Sequence, residues 1–125
     1  TRFIATPEAT AARQYKDGLI NAQQHDTIRT RCYSGKPLRS LKNPYVAEFE
    51  AHPETIKKFP EQLLLSTGRQ VMAYWNPEVD AAKTCMPAGQ GVGSFRTIQP
   101  AAEVFRSILT QAEAILERGV LGRRA

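Results

Sequence analysis

The sequence predicts a mostly α-helical unit, which is either a small all-α domain or a part of a larger α/β protein. Prolines introduce a series of apolar stripes with helical spacing, and the last of these continues into a long amphipathic stretch. Strand patterns are limited to one short apolar start and one extended segment, whereas a self-contained α/β domain shows several strands. The chain has 125 residues, about half of what a complete (β/α)₈ barrel needs.

The composition is that of a globular protein and excludes several classes. Hydrophobic residues make up 42% and charged residues 23% of the chain, which is typical of a folded domain and not of a disordered one. No apolar run approaches the ~20 residues that cross a membrane, and the first residues do not form a signal peptide. The chain does not start with Met, so we expect it to begin inside a longer protein. Its two cysteines are far apart in sequence, which predicts reduced thiols, as in a cytoplasmic protein.

The net charge of +5 is concentrated in one basic segment. No acidic residue occurs between Asp26 and Glu48. Three interpretations of this segment stay open: a solvated loop surface, a site for an anionic substrate or a phosphate, and a nucleic-acid-binding surface. We favour the solvated surface, because no known nucleic-acid-binding motif accompanies the charges. The cations of this segment are Arg29, Arg31, Lys36, Arg39 and Lys42.

The first helix is predicted over residues 7–22, with Thr6 as its N-cap and Glu8 in its first turn. Residues 27–34 are rich in Thr, Ile and Tyr and predict a short extended segment, which a Gly-Lys-Pro sequence then ends. Prolines predict three further short helices and one long C-terminal helix, which Gln99 can cap and Gly119 would end. The short helices begin at Asn43-Pro44, Pro60-Glu61 and Asn76-Pro77.

A glycine-rich loop with the pattern G-x-G-x-G occupies residues 89–93. Glycines allow a phosphate or a flavin to approach the backbone closely, because no Cβ intervenes. No hydrophobic strand precedes the loop and no Lys-Ser/Thr pair follows it, so it is neither a Rossmann fingerprint nor a P-loop. An ordinary flexible turn is the alternative interpretation.

No catalytic constellation is visible in the sequence. His25 and His52 lack a second ligand at metal-binding spacing and are predicted to be surface residues. Cys85 has no neighbour that would lower its pKa and activate the thiol. The single tryptophan, Trp75, is predicted to anchor the core.

Three stretches of the sequence occur in an order and spacing that are fairly specific for one protein family. They are Thr-Arg-Phe-Ile-Ala-Thr-Pro-Glu at residues 1–8 with Tyr-Lys at 15–16, Thr-Arg, Ser-Gly-Lys-Pro and Leu-Lys-Asn between residues 30 and 43, and Pro-Ala-Gly-Gln-Gly-Val-Gly at residues 87–93. Together they resemble the C-terminal part of the nitronate monooxygenases, formerly called 2-nitropropane dioxygenases. The similarity spans nearly the whole chain.

The resemblance implies an α/β fold, the FMN-binding TIM (β/α)₈ barrel with an inserted helical domain, of which this chain is the C-terminal portion. Residues 1–6 would be the end of the last barrel strand. Residues 7–86 would be a helical substrate-binding insertion. Residues 87–125 would be the glycine-rich return loop and the last barrel helix, whose apolar face would lie on barrel strands outside this chain.

The activity implied by the resemblance is oxidation of alkyl nitronates by FMN and O₂ to a carbonyl compound and nitrite. The partners would be a small-molecule nitronate, O₂ and the N-terminal barrel portion, without metal, nucleic acid or membrane. The family's last strand ends in Gly-Thr-Arg-Phe near the FMN phosphate, so Thr1 is the candidate phosphate contact. Gln90 and Gly91 are candidate neighbours of the flavin or the substrate. The family's catalytic His lies outside this chain, so the fragment alone is expected to be inactive.

Two other functions stay open. One is that of a related flavin barrel, the FMN-dependent enoyl-[acyl carrier protein] reductase, which uses a nicotinamide reductant. The other is that of a small non-catalytic helical module that binds an anion through the basic segment.

Overall fold

The structure, a computed structural model, describes residues 1–121, with side chains up to residue 119. About half of the chain is helical, less than predicted, and a two-stranded sheet accounts for part of the difference. Short 3₁₀ turns lie at Arg2–Ile4, Gln24–Asp26, Pro53–Thr55 and Gln90–Ser94. The regular elements are α1 (Arg13–Asn21), β1 (Thr27–Thr30), β2 (Leu38–Leu41), α2 (Pro44–Ala51), α3 (Glu61–Gly68) and α4 (Ala101–Leu121).

The two strands form an antiparallel hairpin, in which Thr27 pairs with Leu41 and Thr30 with Leu38. The predicted extended segment is therefore confirmed for its first half, whereas β2 was not predicted. The turn between the strands contains Gly35 at a φ of +79°, a conformation that favours glycine. The other edge of β2 pairs with the start of residues 87–100, the segment that leads to α4 and is called the return segment below. There the Ala88 amide donates to the Arg39 carbonyl at 3.1 Å.

Two of the three predicted short helices are confirmed. Asn43 caps α2 by accepting a hydrogen bond from the Val46 amide at 2.9 Å, and α3 begins directly after Pro60. The helix predicted at Asn76-Pro77 is wrong, because the Asn76 side chain instead accepts from the Glu78 amide at 3.0 Å. Such a local side-chain bond stabilises a turn in place of a helix.

The first helix begins later than predicted, at Arg13. Thr6 does not cap it, because the Thr6 hydroxyl donates to the Phe3 carbonyl at 2.9 Å. Glu8 lies at the start of α4 instead, where its carboxylate accepts from the Ala101 amide at 3.0 Å. Hydrogen bonds from its own backbone amide and from the Ala101 amide lower the pKa of Glu8 below the usual 4.5. A carboxylate at this position also complements the positive end of the helix dipole.

Replacing Glu8 with glutamine is expected to lower the thermal midpoint at neutral pH, because the charge at the α4 N-terminus is lost. A carboxyl group whose folded pKa is depressed stabilises the protein above its unfolded pKa, and this stabilisation is lost as the pH falls through the folded pKa. The midpoints of wild type and Glu8→Gln should therefore converge on acidification. Glu78→Gln is the control, since the Glu78 carboxylate makes no hydrogen bond within residues 1–119. A midpoint difference that does not depend on pH would contradict this assignment.

Two segments differ locally from what the resemblance implies. One is the expected strand end at residues 1–6, and the other is the expected helical insertion at residues 7–86. Arg2–Ile4 form a 3₁₀ turn and not an extended segment. The Arg2 guanidinium holds this turn, since it donates to the Thr97 carbonyl at 2.7 Å and lies 4.8 Å from the centre of the Phe95 ring. Residues 7–86 contain the hairpin as well as α1–α3, so this segment is mixed and not purely helical.

Buried apolar residues form two clusters, one around Tyr15 and Leu19 of α1 and one around Tyr33 and Val46. Trp75 belongs to neither cluster and is 55% exposed. The prediction that Trp75 anchors the core is wrong, because the tryptophan lies in a turn and packs edge-on against Tyr74. The first cluster joins α1 to the return segment, and the second joins the hairpin to α2 and to Val71 and Cys85.

Helix α4 packs on the rest of the chain through little of its surface. Val104 is buried, and α4 makes its main contact with the first 3₁₀ turn. Gly119 does not end the helix, which continues to Leu121. None of the described helices combines the length and apolarity needed to cross a membrane. The apolar face that α4 leaves exposed carries Phe105, Ile108, Leu109, Ile115 and Leu116.

Candidate functional site

The three candidate cofactor residues lie together at the surface. The Thr1 hydroxyl accepts a hydrogen bond from the Gly89 amide at 3.0 Å, and Gln90 and Gly91 follow directly in the chain. All four residues are exposed. The fold therefore joins the first residue to the glycine-rich loop, which is 88 positions away in sequence.

The glycine-rich loop is anchored to the core through one buried side chain. Residues Gln90–Ser94 form a 3₁₀ turn, and Val92 is fully buried in the first core cluster. A Cβ on Gly93 would lie 3.1 Å from the Gln24 backbone nitrogen, so this glycine allows two backbone segments to pack closely. The loop is anchored on one side and presents its other side to solvent.

The glycines on the solvent side make no packing contact that explains them. A Cβ on Gly91 would meet no described atom within 4 Å, and one on Gly89 would meet only the Thr1 hydroxyl oxygen at 3.7 Å. Bare backbone of this kind leaves space for a group that is not part of this chain. Open space beside a glycine is not specific for a ligand, since Gly68 has it too. The exposed Thr1 hydroxyl next to side-chain-free backbone is compatible with a phosphate-bearing group.

An apolar pocket of about 330 Å³ lies between the N-terminal residues, α1 and Pro87, which is two positions before Gly89. The Tyr15 hydroxyl donates to the Pro87 carbonyl and so fixes the tyrosine against the start of the return segment. Burial raises the pKa of Tyr15 above its usual value, so the phenol stays protonated at neutral pH. The sequence contained no signal for this pocket, because its walls come from distant positions. The pocket is lined by Ile4, Ala9, Thr10, Ala11, Tyr15, Tyr74 and Pro87.

The histidines and cysteines lie elsewhere and form no catalytic group with these residues. His25 and His52 are exposed, as predicted, each 3.5 Å from one neighbouring carboxylate. Cys32 and Cys85 are free and buried, and burial raises the pKa of Cys32 to about 11 and that of Cys85 to about 12. Neither thiol is therefore an activated nucleophile. Residues 1–119 contain no cluster of three or more side chains that could hold a metal ion.

Comparison with known proteins identifies the family. The profile described as nitronate monooxygenase matches residues 1–111. The chain belongs to the nitronate monooxygenase family. Members of this family are flavin-dependent oxidoreductases.

Individual relatives support the same family assignment. The chain is 28% identical over 118 residues to a probable nitronate monooxygenase from Staphylococcus aureus (strain JH9), covering 94% of this chain and 32% of that protein. It is similar in structure to a nitroalkane oxidase from Streptomyces ansochromogenes, with 30% identity and a TM-score of 0.71, covering 92% of this chain and 33% of that one. FabK from Thermotoga maritima matches with 26% identity and a TM-score of 0.72, covering 94% of this chain and 36% of that one. Both solved structures are TIM barrels. The chain spans about a third of the length of the relatives that it matches.

Proposed function

We propose that the protein carrying this chain is an FMN-dependent nitronate monooxygenase, which oxidises alkyl nitronates with O₂ to a carbonyl compound and nitrite. The family match over residues 1–111 carries this proposal. The contact between Thr1 and Gly89 supports it, because it brings the residues that the resemblance assigns to the flavin together at the surface. The protein is proposed to be cytoplasmic, in keeping with its two free cysteines.

In this proposal the chain is the C-terminal third of a TIM barrel. Residues 1–6 follow the last barrel strand, residues 7–86 form the inserted substrate-binding domain, and residues 87–125 return to the barrel and form its last helix. The exposed face of α4 supports this arrangement, because its five large apolar side chains are each 47–68% exposed. Contiguous apolar surface of this kind marks a face that packs against another structure. In the full-length protein, meaning this chain joined to the barrel strands that we propose precede it, those strands would cover α4.

FMN would supply the redox chemistry when bound. In this chain, Thr1 would contact the phosphate, and Gln90 and Gly91 would lie against the ring system or the substrate. The apolar pocket beside Pro87 would hold the alkyl part of a nitronate and exclude water from it. The buried Tyr15 phenol would stay neutral, so that this wall of the pocket adds no charge that repels an anion. The family's catalytic histidine would come from the preceding strands, so the 125 residues alone would not turn over.

Nitrite release tests this function. The full-length protein, mixed with an alkyl nitronate in air, should release nitrite and consume O₂ without any nicotinamide. Omitting the nitronate is the control for background oxidation. A protein that consumes a reduced nicotinamide and releases no nitrite would contradict the proposal and would favour the enoyl-[acyl carrier protein] reductase alternative.

A further inference from the structure

A second groove, of about 570 Å³, lies at the turn end of the hairpin, between residues 29–37 and residues 50–58. The glycine-rich loop lies near the other end of the hairpin, where Gly93 packs on the Gln24 backbone directly before β1. The candidate flavin residues Thr1, Gln90 and Gly91 do not line this groove. Its walls are Arg29, Thr30, Arg31, Gly35, Pro37, Glu50, Pro53, Ile56, Lys57 and Lys58.

The groove carries an excess of positive charge that the described part of the chain does not neutralise. Its four cations are exposed, and none of their side chains forms a hydrogen bond or an ion pair within residues 1–119. The one carboxylate of the lining, Glu50, accepts from the Thr30 hydroxyl at 2.7 Å. Arg29 also lies directly opposite Arg39 in the hairpin register, an arrangement of like charges that destabilises a strand pair.

The two walls of the groove are fixed relative to each other. A Cβ on Gly35 would lie 2.5 Å from the Phe59 backbone nitrogen, so the hairpin turn packs directly on residues 57–59. The buried Gln62 side chain accepts from the Lys57 amide at 2.9 Å and donates to the Cys32 carbonyl. The arginine wall and the lysine wall therefore face each other across a preformed space, which lowers the entropic cost of binding a ligand.

We propose that this groove binds a small ligand that carries two or more phosphate groups, at a site distinct from that of the flavin. Four cations from two walls match a diphosphate better than the single charge of a nitronate, since arginine and lysine both bind phosphate through charge-assisted hydrogen bonds. The volume is that of a small-molecule site. The lining contains no aromatic side chain on which nucleic-acid bases could stack, so the phosphates and not a base provide the recognition.

Isothermal titration calorimetry of the full-length protein with ADP and with pyrophosphate tests this site. Both ligands should bind with similar micromolar affinity. The double variant Arg31→Ala/Lys57→Ala should weaken binding of both by at least ~30-fold, as the loss of two charge-assisted contacts predicts. Glu50→Gln should tighten binding by ~3–10-fold, because it removes the one negative charge from the groove.

The control variants separate this site from general charge and from the flavin site. Lys42→Ala/Arg13→Ala removes two exposed cations that do not line the groove and should leave affinity within about twofold of wild type. Gly91→Glu should bind ADP as wild type does. The proposal is overturned by no binding of either ligand at about 1 mM, by binding of ADP without pyrophosphate, by an equal loss in the control variant, or by unchanged affinity in Glu50→Gln. Tighter binding of a single-stranded RNA, with affinity that grows with its length, would also overturn it.

Discussion

Replacing Gly35 with alanine is expected to destabilise the protein by at least about 3 kcal/mol, through the cost of a left-handed backbone together with a backbone clash. The residue has a φ of +79°, and its Cβ would lie 2.5 Å from the Phe59 nitrogen and 2.8 Å from the Lys57 carbonyl oxygen. These neighbours are backbone atoms, so a side-chain rotation cannot relieve the clash. Either the hairpin turn or residues 57–59 would have to move.

The measurement is the thermal midpoint of the full-length protein, which should fall by at least about 4 °C for a loss of this size in a protein of about three times this length. Gly68→Ala is the matched control. A Cβ there meets no described atom within 4 Å, and alanine is a better helix former than glycine, so the midpoint should stay equal or rise. If the thermal midpoint fell equally in both variants, or did not fall in Gly35→Ala, the hairpin turn would not pack on residues 57–59 as described.

Replacing Gly91 with glutamate is expected to reduce flavin affinity by at least about 100-fold, which corresponds to roughly 2.7 kcal/mol, while the fold is retained. The position is open within this chain, so any loss must come from a group outside it. A glutamate side chain would occupy the space that we assign to the flavin and would place a negative charge beside a phosphate-bearing cofactor.

Flavin content per protein chain after purification, followed by titration of the apoprotein with FMN, measures this effect. Gly68→Glu makes the same substitution at a glycine that is equally open but lies in α3, and it should retain FMN as wild type does. Thermal unfolding of the two apoproteins should be similar. Normal FMN binding by Gly91→Glu would contradict the placement of the cofactor at this loop.

The sequence predicted structure where the signal was local. Asn43 and Pro44 together specify a helix start. The Asn43 side chain accepts from the amide three residues later, and the Pro44 ring fixes a helical φ at the first position. Glu8 carried an equally good local signal for α1, yet it caps α4, 93 positions away. The Thr6 hydroxyl likewise bonds to the preceding turn. A tertiary contact decided the role of Glu8, and no sequence window contains it. A competing local bond decided that of Thr6, because its hydroxyl is used by a turn only three residues away.

The candidate site was predictable only through the family resemblance. The contact between Thr1 and Gly89 joins residues 88 positions apart, so spacing alone could not place the two residues together. The basic groove shows the same limit. Arg29 and Arg31 were visible as a basic segment, but their facing wall at Lys57 comes from a different part of the chain. The packing at Gly35 brings the two walls together.

Whether this chain completes a flavin site can be read from the visible absorption spectrum of the purified full-length protein. The spectrum should show the two absorption bands of an oxidised flavin, and denaturation should release one FMN per protein chain. A colourless, correctly folded full-length protein that does not bind added FMN would contradict it.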